Sequence, residues 1–168
     1  DAFVGNPPFA GKNNIIETGG ESYLPWLQAL HVGAHGNADL SAHFFRRAFH
    51  LLGVHGTIGF IATNPIAQGD TRASGLRFLA ENGAQLYEAV RSMKWPVPGA
   101  NVAISIVHVA KGHVADFPLE PRLDGQRVQH LNSRLRAKPE RSDPRPLASN
   151  SGLSFVGSMV LGMGFTLT

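Results

Sequence analysis

Asp1-Ala2-Phe3-Val4-Gly5-Asn6-Pro7-Pro8-Phe9 opens the chain and decides its reading. Ala2 to Val4 is short and apolar, as a buried strand is. It runs straight into an amide side chain, two prolines and an aromatic ring. Each proline fixes its own φ, and each pushes the residue before it toward extended backbone. A strand that ends this way holds the Asn6 side chain, the Pro7 carbonyl and the Phe9 ring in one rigid turn. One reading is structural, with Phe9 as core. The other is a site at the C-terminal end of a strand.

The residue types suit one chemistry. The exocyclic amine of adenine is a poor nucleophile because its lone pair is delocalised into the ring. Acceptors on its N–H groups draw the nitrogen toward tetrahedral geometry and expose that pair. Asn6 supplies one acceptor through its side-chain oxygen, and the Pro7 carbonyl supplies another. Phe9 stacks on the base, which helps offset the cost of extruding it from a duplex. A methyl group then passes in line from a sulfonium donor, and catalysis is mostly placement and electrostatics.

Outward from this stretch the chain alternates. Residues 10 to 36 read as a long loop rich in Gly, Asn and small residues, with an aromatic patch from Tyr23 to Leu27. Asn37 to Leu52 reads as a helix. Leu40, Phe44, Ala48 and Leu51 form its apolar stripe, which Phe45, Phe49 and Leu52 widen. Asn37 is placed to cap its start and Gly53 follows its end. Thr57 to Thr63 is nearly all apolar or β-branched, like a strand covered on both faces. A helix over 71–81, a strand over 85–90, a loop from Trp95 to Gly99 and a strand over 101–109 follow. That order predicts an open α/β sheet with its ligand crevice at the C-terminal ends of the strands. Prolines break up 113–150, which reads as linker with a short helix over 128–135. The last stretch, 151–168, is apolar and interrupted by glycine.

The bulk properties set limits. The chain has 168 residues, enough for one domain with a core. Lys and Arg total 15 against 12 acidic residues, a mild excess that permits a nucleic-acid partner without demanding one. There is no cysteine, which excludes disulfides and thiolate zinc sites. No apolar run is long enough for a membrane-spanning helix, and no signal peptide is visible, so a cytoplasmic location is expected. The chain starts at Asp1 rather than Met and reads as a piece of something larger.

Several further blocks carry a family resemblance. They are Ala38-Asp39-Leu40 with Phe44-Phe45-Arg46-Arg47-Ala48-Phe49; Ile61-Ala62-Thr63-Asn64 with Ile66-Ala67-Gln68-Gly69-Asp70-Thr71-Arg72; Arg91-Ser92, Trp95-Pro96, Gly99-Ala100 and Val102 through His108; and Leu123-Asp124-Gly125, Leu131-Asn132-Ser133 and Phe155-Val156-Gly157-Ser158. With Asn6 to Phe9, they make the chain resemble a segment of a class I S-adenosylmethionine-dependent DNA adenine-N6 methyltransferase. More narrowly, it resembles the MmeI-like proteins of combined restriction-modification type.

The resemblance implies the C-terminal part of a Rossmann-like α/β methyltransferase sheet, incomplete, over 1–112. A linker over 113–150 and the start of a target-recognition domain over 151–168 would follow. It implies catalytic roles for Asn6, Pro7 and Phe9. It places Asp39 at the edge of the cofactor pocket, and Gln68, Asp70 and Arg72 beside the base or its flanking phosphates. Trp95 walls the base pocket or packs as core. The cofactor implied is S-adenosylmethionine and the partner is double-stranded DNA, both for the parent protein.

The family's glycine-rich cofactor loop and the acidic residue after its second strand would lie before Asp1, so the isolated chain is expected to be inactive. Uncovered sheet surface would then favour self-association. Alternatives are an RNA-base or protein-glutamine methyltransferase fragment, or a non-enzymatic remnant.

Other signals weigh less. Gly5 to Lys12 superficially resembles a phosphate loop, but its spacing is wrong, Asn13 stands where Ser or Thr is needed, and its prolines remove N–H donors. Eight histidines include no His-Glu-x-x-His pattern, so no metal site is assigned. The basic residues Arg134, Arg136, Lys138, Arg141 and Arg145 have two readings. They contact DNA phosphates, or they belong to a solvated linker that also holds Glu140 and Asp143.

Overall fold

A computed structural model describes residues 1–96, 102–112, 120–144 and 147–153. Part of the expected loop after Trp95, the Phe155-Val156-Gly157-Ser158 block, Arg145 and most of 151–168 lie outside the described residues.

Strand β1 (Ala2–Gly5) is followed by helices α1 (Lys12–Gly19), α2 (Tyr23–Leu30) and α3 (Leu40–Leu51). Strand β2 (Thr57–Thr63) leads through a 3₁₀ turn (Asn64–Ala67) into a second helical arm. That arm is α4 (Gly69–Arg72), a π-helical stretch (Ala73–Arg77) and α5 (Phe78–Glu81) in series. Long strands β3 (Ala84–Lys94) and β4 (Ala103–Lys111) follow, then the short pair β5 (Arg122–Leu123) and β6 (Gln126–Arg127).

The sheet order is β1-β2-β4-β3-β5-β6. β1 pairs parallel with β2, with Gly5 opposite Phe60. β4 is antiparallel to both β2 and β3. The expected open α/β sheet is therefore present.

One face of the sheet carries the core. Ile58, Phe60 and Ala62 of β2 lie in register with Val109, Val107 and Ser105 of β4. Leu86 and Ala89 of β3 continue that row. Onto it pack Ala42, Phe45, Ala48, Phe49 and Leu52 around α3, and Leu76 and Leu79 of the second arm, all buried. Burying such side chains is worth roughly 1.5–3 kcal/mol each. The opposite face of β2 is only half-buried, against the expectation of equal cover on both sides.

Other expectations are corrected. Residues 10 to 36 are not a loop. Helices α1 and α2 occupy much of the stretch, and Ile15, Leu24 and Leu27 form a small core with Leu40. Asp39, not Asn37, caps α3, and its carboxylate accepts from Ser41 N at 2.9 Å. The helix ends on Leu52 in extended backbone and uses no glycine cap. Phe44 and Leu51 of the expected stripe are exposed, because the buried stripe centres on Phe45 and Phe49. Residues 128–135 form no helix. Residues 120–144 are bound to the rest: β5 extends the sheet beside β3, and Leu135 joins the main core.

Candidate active site

The C-terminal ends of the parallel strands β1 and β2 share one edge of the sheet. Gly5 ends β1, and Asn6, Pro7, Pro8 and Phe9 follow at once. Pro7 is buried, Phe9 half-buried, and Asn6 and Pro8 exposed. Among the described residues no side-chain hydrogen bond engages Asn6, so its amide faces outward unspent. The next residue fixes the turn: the Ala10 carbonyl accepts from Leu40 N at 2.8 Å, tying the loop to the start of α3.

The two crossover loops are stitched together at this edge. Asp39 N donates to Thr71 Oγ1 at 3.1 Å, and His35 N donates to Ser74 Oγ at 2.8 Å. Asp70 faces His35 Nδ1 at 3.1 Å and receives a weak contact from Asn37 Nδ2 at 3.5 Å. Asp39 is already occupied. Besides Ser41 N, its Oδ1 accepts from Ser41 Oγ at 2.6 Å, which leaves Oδ2 as its available oxygen.

Gln68 and Arg72 meet in a cavity of about 460 Å³ at the end of β2, shared with Asn64, Ser92, Arg136 and Asp143. Gln68 is exposed, but Arg72 is 4% exposed and committed. It donates to Ser133 Oγ at 2.9 Å and to Asp143, with Glu140 at 3.8 Å. Arg77 and Arg134 bind the same Asp143 carboxylate. Asp70 and Trp95 do not line this cavity. Trp95 is half-buried just past β3, and its N–H donates to the Val102 carbonyl at 3.0 Å.

The sequence reading missed the polar floor of the cavity. Asn64 Nδ2 donates to Ser92 Oγ at 3.0 Å, and Ser105 Oγ donates to Asn64 Oδ1 at 3.1 Å. Ser92 sits in left-handed backbone (φ 50°) beside the β3 bulge between Val90 and Met93, a placement that re-aims a side chain. One signal was available: Asn64-Pro65 ends β2 as Asn6-Pro7 ends β1.

Comparison with known proteins gives the frame. The Type IIL restriction-modification enzyme MmeI, solved in complex with DNA, superposes with a TM-score of 0.68 at 22% identity. The match covers 83% of this chain and 20% of MmeI, so the chain spans about a fifth of that protein's length. Weaker likenesses are the ATP-dependent Type ISP restriction-modification enzyme LlaBIII and the M protein of the Type I restriction enzyme EcoKI. LlaBIII has TM-score 0.48 and 19% identity, covering 73% of this chain and 10% of its own. EcoKI M has TM-score 0.45 and 15% identity, covering 68% and 21%. No curated protein matches significantly. The sheet is part of a class I, Rossmann-like methyltransferase fold. The model of the Eco57I restriction-modification methylases matches residues 1–87, and with half of its length so matched the chain belongs to that family.

Proposed function

We propose that the protein of which this chain is a part transfers a methyl group from S-adenosylmethionine to adenine N6 in double-stranded DNA. The observation that carries this is the Asn6-Pro7-Pro8-Phe9 turn. It stands at the C-terminal edge of a parallel strand, with Asn6 exposed and unengaged and Pro7 locked into the fold. Asn6 Oδ1 and the Pro7 carbonyl accept from the two N–H groups of the target amine, and Phe9 stacks on the extruded base.

Gln68 reaches the nucleotide beside the target from the cavity at the end of β2. Asp70 and Trp95 border the same edge. Arg72 serves by holding the cavity wall rather than by touching DNA, since its guanidinium is spent on Ser133 and Asp143. Arg136, exposed and without an ion pair among the described residues, suits a backbone phosphate. S-adenosylmethionine supplies the methyl group on its sulfonium. From this chain Asp39 offers it one oxygen that is unengaged among the described residues.

Methyl transfer from labelled S-adenosylmethionine to duplex DNA tests the reading. The full-length protein should label adenine N6. Asn6→Ala should lower the rate by about 100-fold or more with little change in fold. The 168-residue chain alone should transfer nothing. Labelling of RNA or of a protein glutamine in preference to DNA would replace this reading. The exposed Phe3 and Val4 of β1 also support self-association of the isolated chain, which sedimentation velocity would register as a concentration-dependent shift.

A further inference from the structure

Among the described residues two arginines are almost completely buried, and they differ in one respect. Arg72, 4% exposed, has Asp143 and Glu140 beside it. Arg46, 6% exposed, has no carboxylate partner among the described residues. Its Nη2 donates to the Val32 carbonyl at 2.9 Å, and its guanidinium stacks 3.6 Å from the centre of the Phe78 ring. A carbonyl dipole and a ring face are weak substitutes for a counter-charge, and buried charges are normally paired.

Arg46 borders a cavity of about 490 Å³, within the size range of small-ligand sites. Arg47 and His50, one helical turn apart on α3, are exposed at its wall, and Lys111 closes another side. Among the described residues no Asp or Glu lines it. Lys111 is partly spent: its Nζ donates to the carbonyls of Phe49 at 2.8 Å and Leu52 at 2.6 Å. That contact has a consequence. The C-terminal end of a helix carries partial negative charge that would repel an anion. Lys111 covers that charge and leaves Arg46, Arg47 and His50 facing the cavity. Leu30 and Phe78 add apolar wall.

The cavity lies away from the candidate active site. α3 starts at the catalytic loop, where Leu40 N meets the Ala10 carbonyl. It has 12 residues, which is about 18 Å of helix. Its far end meets Lys111, whose neighbours Gly56 and His55 precede β2. The cavity is therefore toward the N-terminal edge of the parallel strands.

We propose that this cavity binds a phosphate-bearing anion of nucleotide size, with Arg46 as its buried counter-charge and Arg47 and His50 as its outer contacts. Arginine matches the oxygens of a phosphate with paired N–H donors. The site is independent of the methylation reading, since none of its lining residues belongs to the candidate active site.

Titration calorimetry of the purified protein at low ionic strength tests it. The probes are inorganic triphosphate, a nucleoside triphosphate, and a short DNA strand with either a 5′-phosphate or a 5′-hydroxyl. Saturable binding of inorganic triphosphate is expected, weakened about tenfold or more by Arg47→Gln. Arg127→Gln, which removes an equal charge on β6, should change nothing. Tighter binding of the nucleoside triphosphate would identify a free nucleotide as the source. Tighter binding of the 5′-phosphorylated strand than of its 5′-hydroxyl twin would identify a nucleic-acid end. His50→Gln provides a second variant should Arg47→Gln fail to fold. The proposal is overturned if no probe binds saturably at millimolar concentration, or if binding survives both substitutions undiminished.

Discussion

At the scale of single residues, the same side-chain type carries opposite roles in this chain. Arg72 reads in the sequence as a residue for base or phosphate, because it follows Gln68 and Asp70 in a strand-end loop. The fold buries it against Ser133 and Asp143 instead. Hydrogen bonds made by a charged group are typically worth about 1.5–3 kcal/mol, and truncating Arg72 removes those to Ser133 and Asp143, while Asp143 keeps Arg77 and Arg134. Arg72→Ala should therefore lower the denaturant midpoint strongly, and Asp143→Asn should lower it less, because Glu140 remains near Arg72. If Arg72→Ala unfolds like the wild type, the cluster has no structural role. The partners were not legible in the sequence because they lie 61 and 71 residues away. The placement of Asn6 just past β1, by contrast, was legible, because two prolines leave the local backbone few alternatives.

At the scale of elements, legibility followed the strength of the local pattern. β2 was readable as an unbroken run of apolar and β-branched residues, and α3 as a long periodic stripe. Helices α1 and α2 were not. Each has 8 residues, neither has a side-chain cap, and glycines flank α1 while Pro25 sits inside α2. Helices this short are marginal alone, and these form because Ile15, Leu24 and Leu27 pack against Leu40. The β5–β6 pair was missed although its signal was present. Asp124 and Gly125 both have positive φ, 52° and 79°, as an Asp-Gly hairpin turn demands.

Two predictions belong at this scale. Asp39→Ala removes the α3 cap and should cost about 1 kcal/mol in chemical denaturation; no loss would mean that Thr71 anchors the helix start alone. Gly75 sits where the π-helical stretch crosses α3, and a Cβ there would lie 3.1 Å from Ala42 Cβ and 3.3 Å from its Cα. Gly75→Val should overpack this crossing and destabilise the protein by about 1–3 kcal/mol. An unchanged thermal midpoint would show that the arm can slide away.

At the scale of the whole molecule, charge is unevenly settled, and acid should reveal it. His31 Nδ1 and His43 Nδ1 lie 2.9 Å apart, where one must donate and the other accept, so the two rings cannot both be charged without breaking the contact. Burial holds both well below the ordinary 6.5, at about 4, helped at His31 by His43, Arg46, Arg47 and His50 and at His43 by Arg46. The unfolded chain binds these protons below about 6.5 and the folded chain resists them down to about 4. Stability contributed by the pair is thus complete above 6.5 and drains away as pH falls through that window. Thermal midpoints measured between pH 7 and about 4 should fall less steeply in a His31→Asn/His43→Gln variant than in the wild type. Parallel curves would remove the pair from the acid response. The rim of basic side chains around this pair could not be foreseen from the formal charge of +3, since balance over the whole chain conceals local surplus.

The convergence of Arg72, Arg77 and Arg134 on Asp143 also has a mechanical meaning. Strands β5 and β6 are two residues each and offer little resistance to shear. A pull on the chain at Asp143 is borne instead by three guanidinium groups, two of them on the arm that follows Gln68. The stretch ending at Asp143 is therefore tied to the wall of the Gln68 cavity by charge-assisted bonds that do not pass through the sheet.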